Sequence, residues 1–265
     1  MRVLFVGDVV GAPGRRLLGA RLKGLKREVR ADLTVVNGEN AAGGAGLTFA
    51  TADELLAAGA DVITTGNHVW DKRDALVLLA REPRILRPAN YPEGSPGSGL
   101  FVATAAGARI AVVNLMGRVF MPLVDDPFRV VDSIVSGLRG AADAIVVDFH
   151  AEATSEKSAL SWHLAGRVAA VLGTHTHVAT ADARVLPGGT AFITDVGMTG
   201  SFDSVIGVKK EQAIERFRTS RSIPYETADG DVRLAAVTVD IDPSSGRATA
   251  IERLEIPEDR ETGVS

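Results

Sequence analysis

Met1-Arg2-Val3-Leu4-Phe5-Val6-Gly7-Asp8 opens the chain with an apolar run that stops at a glycine and a carboxylate. A short apolar run of this kind predicts a strand buried on both faces. An amphipathic helix is expected next, from about Pro13 to Val29. The same order then recurs twice. Asp32 to Asn37 is a second strand running into Gly38-Glu39-Asn40, and Asp61 to Thr65 a third running into Gly66-Asn67-His68. Thr51 is expected to cap a helix through Ala58, and another helix covers about Lys72 to Arg81. Strand and helix in alternation, with polar groups at each strand's end, predict an α/β domain. Open α/β sheets place their sites at those ends. Asp8 taken alone also fits a turn residue or a helix cap.

The middle of the chain changes character. Residues 87–98 are rich in Pro, Gly and Asn and read as a loop. Gly99 to Thr104 and Arg109 to Asn114 read as paired strands, and Leu115 to Pro127 as a long excursion carrying Arg118, Phe120 and Met121. That excursion fits a lid, a substrate wall or an irregular loop. A helix is expected over about Phe128 to Leu138, a buried strand over Ala144 to His150, and a helix through about Leu164 that contains a structural His163. The apolar run from Arg167 leads into Gly173-Thr174-His175-Thr176-His177. Beyond it, strands at Ala183 to Leu186 and Thr190 to Thr194 flank a Pro187-Gly188-Gly189 turn. A Gly-rich loop follows over Asp195 to Gly200, then a helix over about Lys210 to Arg218. Asp231 to Asp242 and Ala248 to Ile256 read as a hairpin, and Glu258 to Ser265 are charged and expected to fray. The simplest assembly is two packed sheets with helices outside.

Composition narrows the function classes. The chain of 265 residues has no cysteine, which removes disulfides, thiolate metal sites and cysteine nucleophiles. A metal site must then use His, Asp, Glu, Asn or water. A net charge of −4 without a long basic run argues against duplex nucleic acid as a partner. No apolar stretch reaches the ~20 residues of a membrane helix, and no signal-peptide pattern opens the sequence. A soluble cytoplasmic protein is therefore expected. The Gly-rich stretch Ala41 to Gly46 lacks both G-x-G-x-x-G and a Walker lysine. Its glycines instead suit close passage of the backbone past a ligand.

Of the five histidines, two are spaced i, i+2 after a strand. In an extended segment they project to one side and reach one small volume, where a metal fits; two polar residues on a surface loop fit the spacing as well. The wider constellation favours the metal. Asp8, Glu39, Asn67, His68, His150, His175 and His177 all fall at or just after strand ends. A carboxylate such as Glu39 can bridge two cations. Two metals about 3.5–4 Å apart clamp a phosphoryl group and lower the pKa of a bridging water.

In this order, Phe5-Val6-Gly7-Asp8, Asn37-Gly38-Glu39-Asn40, Thr65-Gly66-Asn67-His68, Asp148-Phe149-His150 and Gly173-Thr174-His175-Thr176-His177 resemble the calcineurin-like metallophosphoesterases. Within them the chain is most similar to the YmdB family of bacterial phosphodiesterases, which also matches Val69-Trp70-Asp71, Ala151 to Lys157 and Thr194 to Gly200. The pieces span nearly the whole chain, so a single domain over 1–265 is expected. The usual Asp-x-His of the superfamily is Asp8-Val9-Val10 here, and the usual bridging Asp is Glu39; both departures match the YmdB subgroup.

The resemblance implies a four-layer sandwich, two packed β-sheets flanked by helices. It implies one metal on Asp8, Glu39, Asn40 and His177, a second on Glu39, Asn67, His150 and His175, and His68 as an unligated general acid. It implies iron, with manganese able to substitute, whereas ligand type alone permits Zn, Mn or Fe. Its substrates are 2′,3′- and 3′,5′-cyclic nucleotides and activated phosphodiesters, and its members are commonly homo-oligomers. Two other readings stand beside it. One is a different H-x-H hydrolase such as an amidohydrolase, although that barrel expects the motif after its first strand. The other is a signalling or scaffold protein with a non-catalytic metal site.

Overall fold

The computed structural model describes residues 1–258. The first strand, β1 (Arg2–Val6), is followed directly by the two-residue β2 (Asp8–Val9) and α1 (Gly11–Glu28). Next come β3 (Leu33–Asn37), α2 (Phe49–Ala58), β4 (Val62–Thr64), α3 (Ala75–Arg81) and β5 (Ile85–Leu86). The middle provides β6 (Leu100–Ala105), β7 (Ala108–Met116), α4 (Pro127–Gly137), β8 (Ala144–His150) and α5 (Thr154–Leu164). Then follow β9 (Ala170–Thr174), β10 (Arg184–Leu186), β11 (Thr190–Ile193), β12 (Met198–Ser201), α6 (Lys210–Thr219), β13 (Val232–Asp242) and β14 (Arg247–Pro257).

These strands form two sheets. One runs β2-β12-β13-β1-β3-β4-β5, with β14 also on β13; the other runs β10-β11-β9-β8-β7-β6. The centre of each is parallel: β1, β3, β4 and β5 in the first, and β7, β8, β9 and β11 in the second. Alternation along each strand explains the layering. Val3 and Phe5 of β1 face Ile110, Val112, Val146 and Leu172 of the opposite sheet. Leu4 and Val6 face the other way, onto Leu17, Leu18 and Leu22 of α1. In the second sheet Val113, Val147 and Val171 pack under Val131 of α4 and Leu160 of α5. The result is helix, sheet, sheet, helix, the four-layer sandwich expected from the sequence. Both faces of the central strands are covered, which is why they read as unbroken apolar runs.

Several local expectations shift. Helix α2 is capped by Thr48, not Thr51; the two exchange hydrogen bonds as a capping box, and the chain leaves the helix through left-handed Gly59. Helix α1 starts at Gly11, two residues before Pro13, and α3 starts at Ala75 because residues 72–74 only form a turn. Asp126 caps α4 through the backbone N–H groups of Phe128 and Arg129. The second Gly-rich stretch is a correction: Met198–Ser201 is strand β12, paired with β2 and β13. Gly200 permits this, since a Cβ there would press within 3.1 Å of Val10. Glu258 is held by Arg16 at 3.1 Å, whereas the expected fraying of 259–265 lies outside the described residues. No helix among the described residues is long and apolar enough to cross a membrane.

Candidate metal centre

Each parallel strand delivers its polar residues at its C-terminal end, and these ends share one edge of the sandwich. Asp8 follows β1, Glu39 and Asn40 follow β3, and Asn67 and His68 follow β4. From the other sheet, His150 ends β8, while His175 and His177 follow β9. Asp8, Glu39, Asn40 and His150 are buried; His68, His175 and His177 are partly open.

The tightest group surrounds His150 Nε2. Glu39 Oε1 lies 2.9 Å from it, His175 Nδ1 3.0 Å and Asn67 Oδ1 3.1 Å. One ring nitrogen carries at most one proton, so hydrogen bonding cannot satisfy three such neighbours. Donor atoms about 3 Å apart are what a cation with ligand bonds of about 2.0–2.2 Å at right angles would hold. The ligand atoms of Glu39, His150 and His175 all lie within 4.8 Å of one another. Asp8 Oδ1 and Glu39 Oε1 are buried with no well-directed hydrogen bond, so each has an unused lone pair. The donor set therefore fits a cation.

Each histidine's outer nitrogen has a partner, so in the neutral ring the inner nitrogen is the one left with a lone pair. Thr174 Oγ1 donates its hydrogen to Asp148 Oδ1 (2.7 Å), so it accepts from His150 Nδ1–H (2.9 Å). His175 Nε2 lies 3.1 Å from Glu152 Oε2. His177 Nδ1 donates to the Ile206 carbonyl at 2.8 Å, leaving its Nε2 3.3 Å from Asn40 Oδ1. The Asn40 amide nitrogen donates to Gly44 O (3.0 Å), which turns its oxygen toward His177. Asp8 lies between the two groups, with Oδ2 accepting the backbone N–H of His175 at 3.2 Å.

The electrostatics point the same way. Asp8, Glu39 and Asp148 are buried together, and the buried lysine nearby, Lys157, is committed to Asp195. Burial pushes the Asp8 carboxyl up. Burial also opposes ionisation of Glu39, yet His150, 2.9 Å away, carries it down to about 2. Burial would lower His150, but Glu39, Asp8 and Asp148 outweigh it and lift it to about 9. His175 is held down to about 3 by burial and then by the His150 charge. These carboxylates thus require a positive charge beside His150: a proton on its ring supplies one, and a cation taking the Nε2 lone pair would replace that proton.

The histidine pair needs a correction. Strand β9 stops at Thr174, and His175 and His177 adopt left-handed backbone angles, with φ of 100° and 65°. Strand alternation therefore does not apply to them. His175 turns toward His150 and Glu39, whereas His177 turns toward Asn40. Such non-glycine strain costs of order 1–3 kcal/mol per residue and persists only where the surroundings enforce it. Asp195 does so here: its Oδ2 accepts the N–H (3.1 Å) and hydroxyl (2.8 Å) of Thr176, between the two histidines, and the Lys157 ammonium (2.8 Å).

His68 stays outside both groups. Its backbone N–H donates to Glu39 Oε2 (3.2 Å), and its Nδ1 meets Asp71 at 2.8 Å, leaving Nε2 free among the described residues. Several other polar and aromatic side chains are engaged outside these groups. Arg118 pairs with Asp126 at 3.3 Å, Trp70 and Tyr91 pack edge to face at 5.5 Å, Phe202 lies under Arg233, and His163 pairs with Asp132 at 2.9 Å. Asp148, Thr174 and Asp195 had no assigned role. A charge inside the apolar run of β8 was the one available signal, for Asp148. Ile206 contributes only its carbonyl, which no side-chain pattern reveals.

Two mixed sheets between helices, with Asp, Glu, Asn and His converging at the ends of their parallel strands, define a protein of the metallophosphoesterase class. The family model for YmdB-like proteins matches residues 4–254, and the chain belongs to that family. It is 48% identical over 259 residues to the 2′,3′-cyclic-nucleotide 2′-phosphodiesterase of Bacillus subtilis, covering 98% of both chains. Among solved structures it is similar to a hypothetical protein of Thermus thermophilus, at 45% identity and a TM-score of 0.93, over 97% of this chain and 100% of that one. It is also similar to a novel phosphatase of Mycoplasma pneumoniae, at 36% identity and a TM-score of 0.92, over 98% and 94%.

Proposed function

We propose that this chain is a dinuclear metal-dependent phosphodiesterase that opens 2′,3′-cyclic nucleotides, with 3′,5′-cyclic nucleotides as further substrates. The ring nitrogens of three histidines, turned toward Glu39 and Asn40 with their other nitrogens beside outer partners, are the observation that carries the reading. The relationship to the Bacillus subtilis enzyme supports the substrate class. In this reading Glu39, Asn67, His150 and His175 hold one ion, and Asp8, Asn40 and His177 the other, with Glu39 shared. Nitrogen and oxygen donors without thiolate suit iron, manganese or zinc. When bound, the ions supply positive charge to the phosphoryl group and activated water at neutral pH.

The chain's own groups supply the rest. Asp71 accepts from His68 Nδ1–H, so the ring has an Nε2 proton to give only as an imidazolium, which the Asp71 carboxylate supports. A water oxygen bonds to phosphorus and releases a proton to solvent as the P–O2′ bond breaks, and His68 delivers a proton to the departing 2′ oxygen. The product is a nucleoside 3′-phosphate. One domain over the whole chain, a cytoplasmic location and assembly from identical copies complete the proposal.

The test is metal content by elemental analysis, beside hydrolysis of a 2′,3′-cyclic nucleotide by the wild type and by Glu39→Gln. About two metals per chain, with turnover lost in the variant, is the expected result. Bound metal without turnover of any phosphoester would replace the enzyme with a regulatory metal protein.

A further inference from the structure

Beside the candidate centre opens a cavity of about 340 Å³, with His68, His177 and Asn40 at one end. The rest of its wall is of another chemistry. Val10, Val205, Ile206, Val208, Phe217 and Tyr225 line it, with Gly43 to Ala45 along one side. Among the described residues no lysine, arginine, aspartate or glutamate lines it, so away from the His68, His177 and Asn40 end nothing suits a phosphate or another charged group. A mostly apolar cleft of this size with a few polar groups at one end is what a small, largely uncharged ring system fills.

Two aromatic rings stand at this cavity. Phe217, on α6, is 81% exposed, a large apolar ring presented to water. Tyr225 is 40% exposed and steadied by the Arg216 guanidinium, 4.8 Å from its ring centre. The wall carrying them is anchored to the centre twice. Ile206 lines the cavity with its side chain while its carbonyl orients His177. Thr227 packs so closely on Gly11 that a Cβ there would lie 2.6 Å from its methyl group.

We infer that this cavity is the nucleobase subsite, with Phe217 and Tyr225 as the rings that bind the base. The inference rests on the phosphodiesterase reading for the placement of the cyclic phosphate, at the His177 and Asn40 end. The base then extends from the phosphate into the apolar cavity and stacks on a ring. Stacking tolerates any base because every base has a π face, so the subsite accepts purines and pyrimidines alike.

The test separates base binding from chemistry. The metal-loaded protein, with Phe217→Ala and Tyr225→Ala, is titrated with adenosine by calorimetry. The three proteins are then assayed on 2′,3′-cyclic AMP and on glycerol 1,2-cyclic phosphate, which has the same ring ester and no base. Phe217 is exposed, so its variant keeps the fold. The expected result is adenosine binding by the wild type, weakened about 5–150-fold in the variants. KM for 2′,3′-cyclic AMP should rise by a similar factor with kcat nearly constant, and both constants for the glycerol ester should be unchanged. Absence of adenosine binding in the wild type, or binding in both variants as tight as in the wild type, overturns the subsite. Adenosine binding that depends on both rings, without turnover of either cyclic ester, overturns the phosphodiesterase reading and leaves the subsite standing.

Discussion

His150 Nε2 sits 2.9 Å from Glu39 Oε1, with both side chains almost wholly out of solvent. They come from different sheets, one from the end of β8 and one from the turn after β3. This contact ties the two sheets at the centre of the site, and it exists because a positive charge must be placed between buried carboxylates.

Removing the metal should therefore cost stability. A ligand present at about a hundred times its dissociation constant adds about 2.7 kcal/mol, and each kcal/mol moves the midpoint of a chain this size by about 2–4 °C. Dialysis against a chelator should lower the thermal midpoint by about 5–10 °C, and manganese or iron should restore it. An unchanged midpoint would show that no cation is held there.

Gly66 leaves room for this contact. A Cβ on it would lie 2.1 Å from His150 Cδ2 and 2.4 Å from Glu39 Oε2. Gly66→Ala should displace both ligands and lower the metal content while far-ultraviolet dichroism stays native. Wild-type metal content in that variant would refute this packing.

Thr174 holds the His150 tautomer through its link to Asp148. Thr174→Val removes the acceptor for Nδ1–H and one hydrogen bond to a buried carboxylate. Loss of such outer partners typically costs about 10–100-fold in metal affinity. Competition with a chromogenic chelator measures it, and an affinity equal to the wild type would remove Thr174 from this role.

Lys157 and Asp195 form an ion pair at 2.8 Å that is 1% and 0% exposed. Lys157→Met strands the aspartate charge in the interior, and such a break costs about 3–5 kcal/mol. Urea unfolding should show that loss. Metal retention should fall with it, because Asp195 also restrains Thr176 between the two histidines.

Asp182 gives an acid-stability prediction. Burial opposes its ionisation, but the hydroxyls of Thr180 and Thr194, both at 2.6 Å, more than compensate and hold its pKa below the ordinary aspartate value. A depressed folded pKa contributes stability above the unfolded value and loses it as pH falls through the folded one. Between pH about 4 and 2 the thermal midpoint should fall less steeply in Asp182→Asn than in the wild type.

The strands were legible because β1, β3, β4 and β8 are covered on both faces, which leaves an unmistakable apolar signature. Their polar ends were legible for the same reason, since a charge next to such a run is conspicuous. Features set by backbone conformation were not. The left-handed turns at His175 and His177 depend on Asp195 and on room beside β9, and neither leaves a local pattern. Strand β12 was hidden because Met198 to Ser201 is glycine-bearing and polar, and only its neighbours β2 and β13 make it a strand. The Thr48 cap was misread by three positions because both threonines belong to the same box.

Strand β1 lies between β3 on one side and β13 on the other, and Arg2 is paired with Asp240 across 238 positions of chain. A ribosome making this protein releases β1, β3, β4 and β5 long before β13. Until β13 arrives, one side of the central strand is an open row of peptide groups, which recruits foreign strands. Contacts this distant in sequence also slow folding. Nascent chains stalled before residue 232 should therefore be the aggregation-prone species and the preferred clients of chaperones, and appearance of β13 should end that vulnerability.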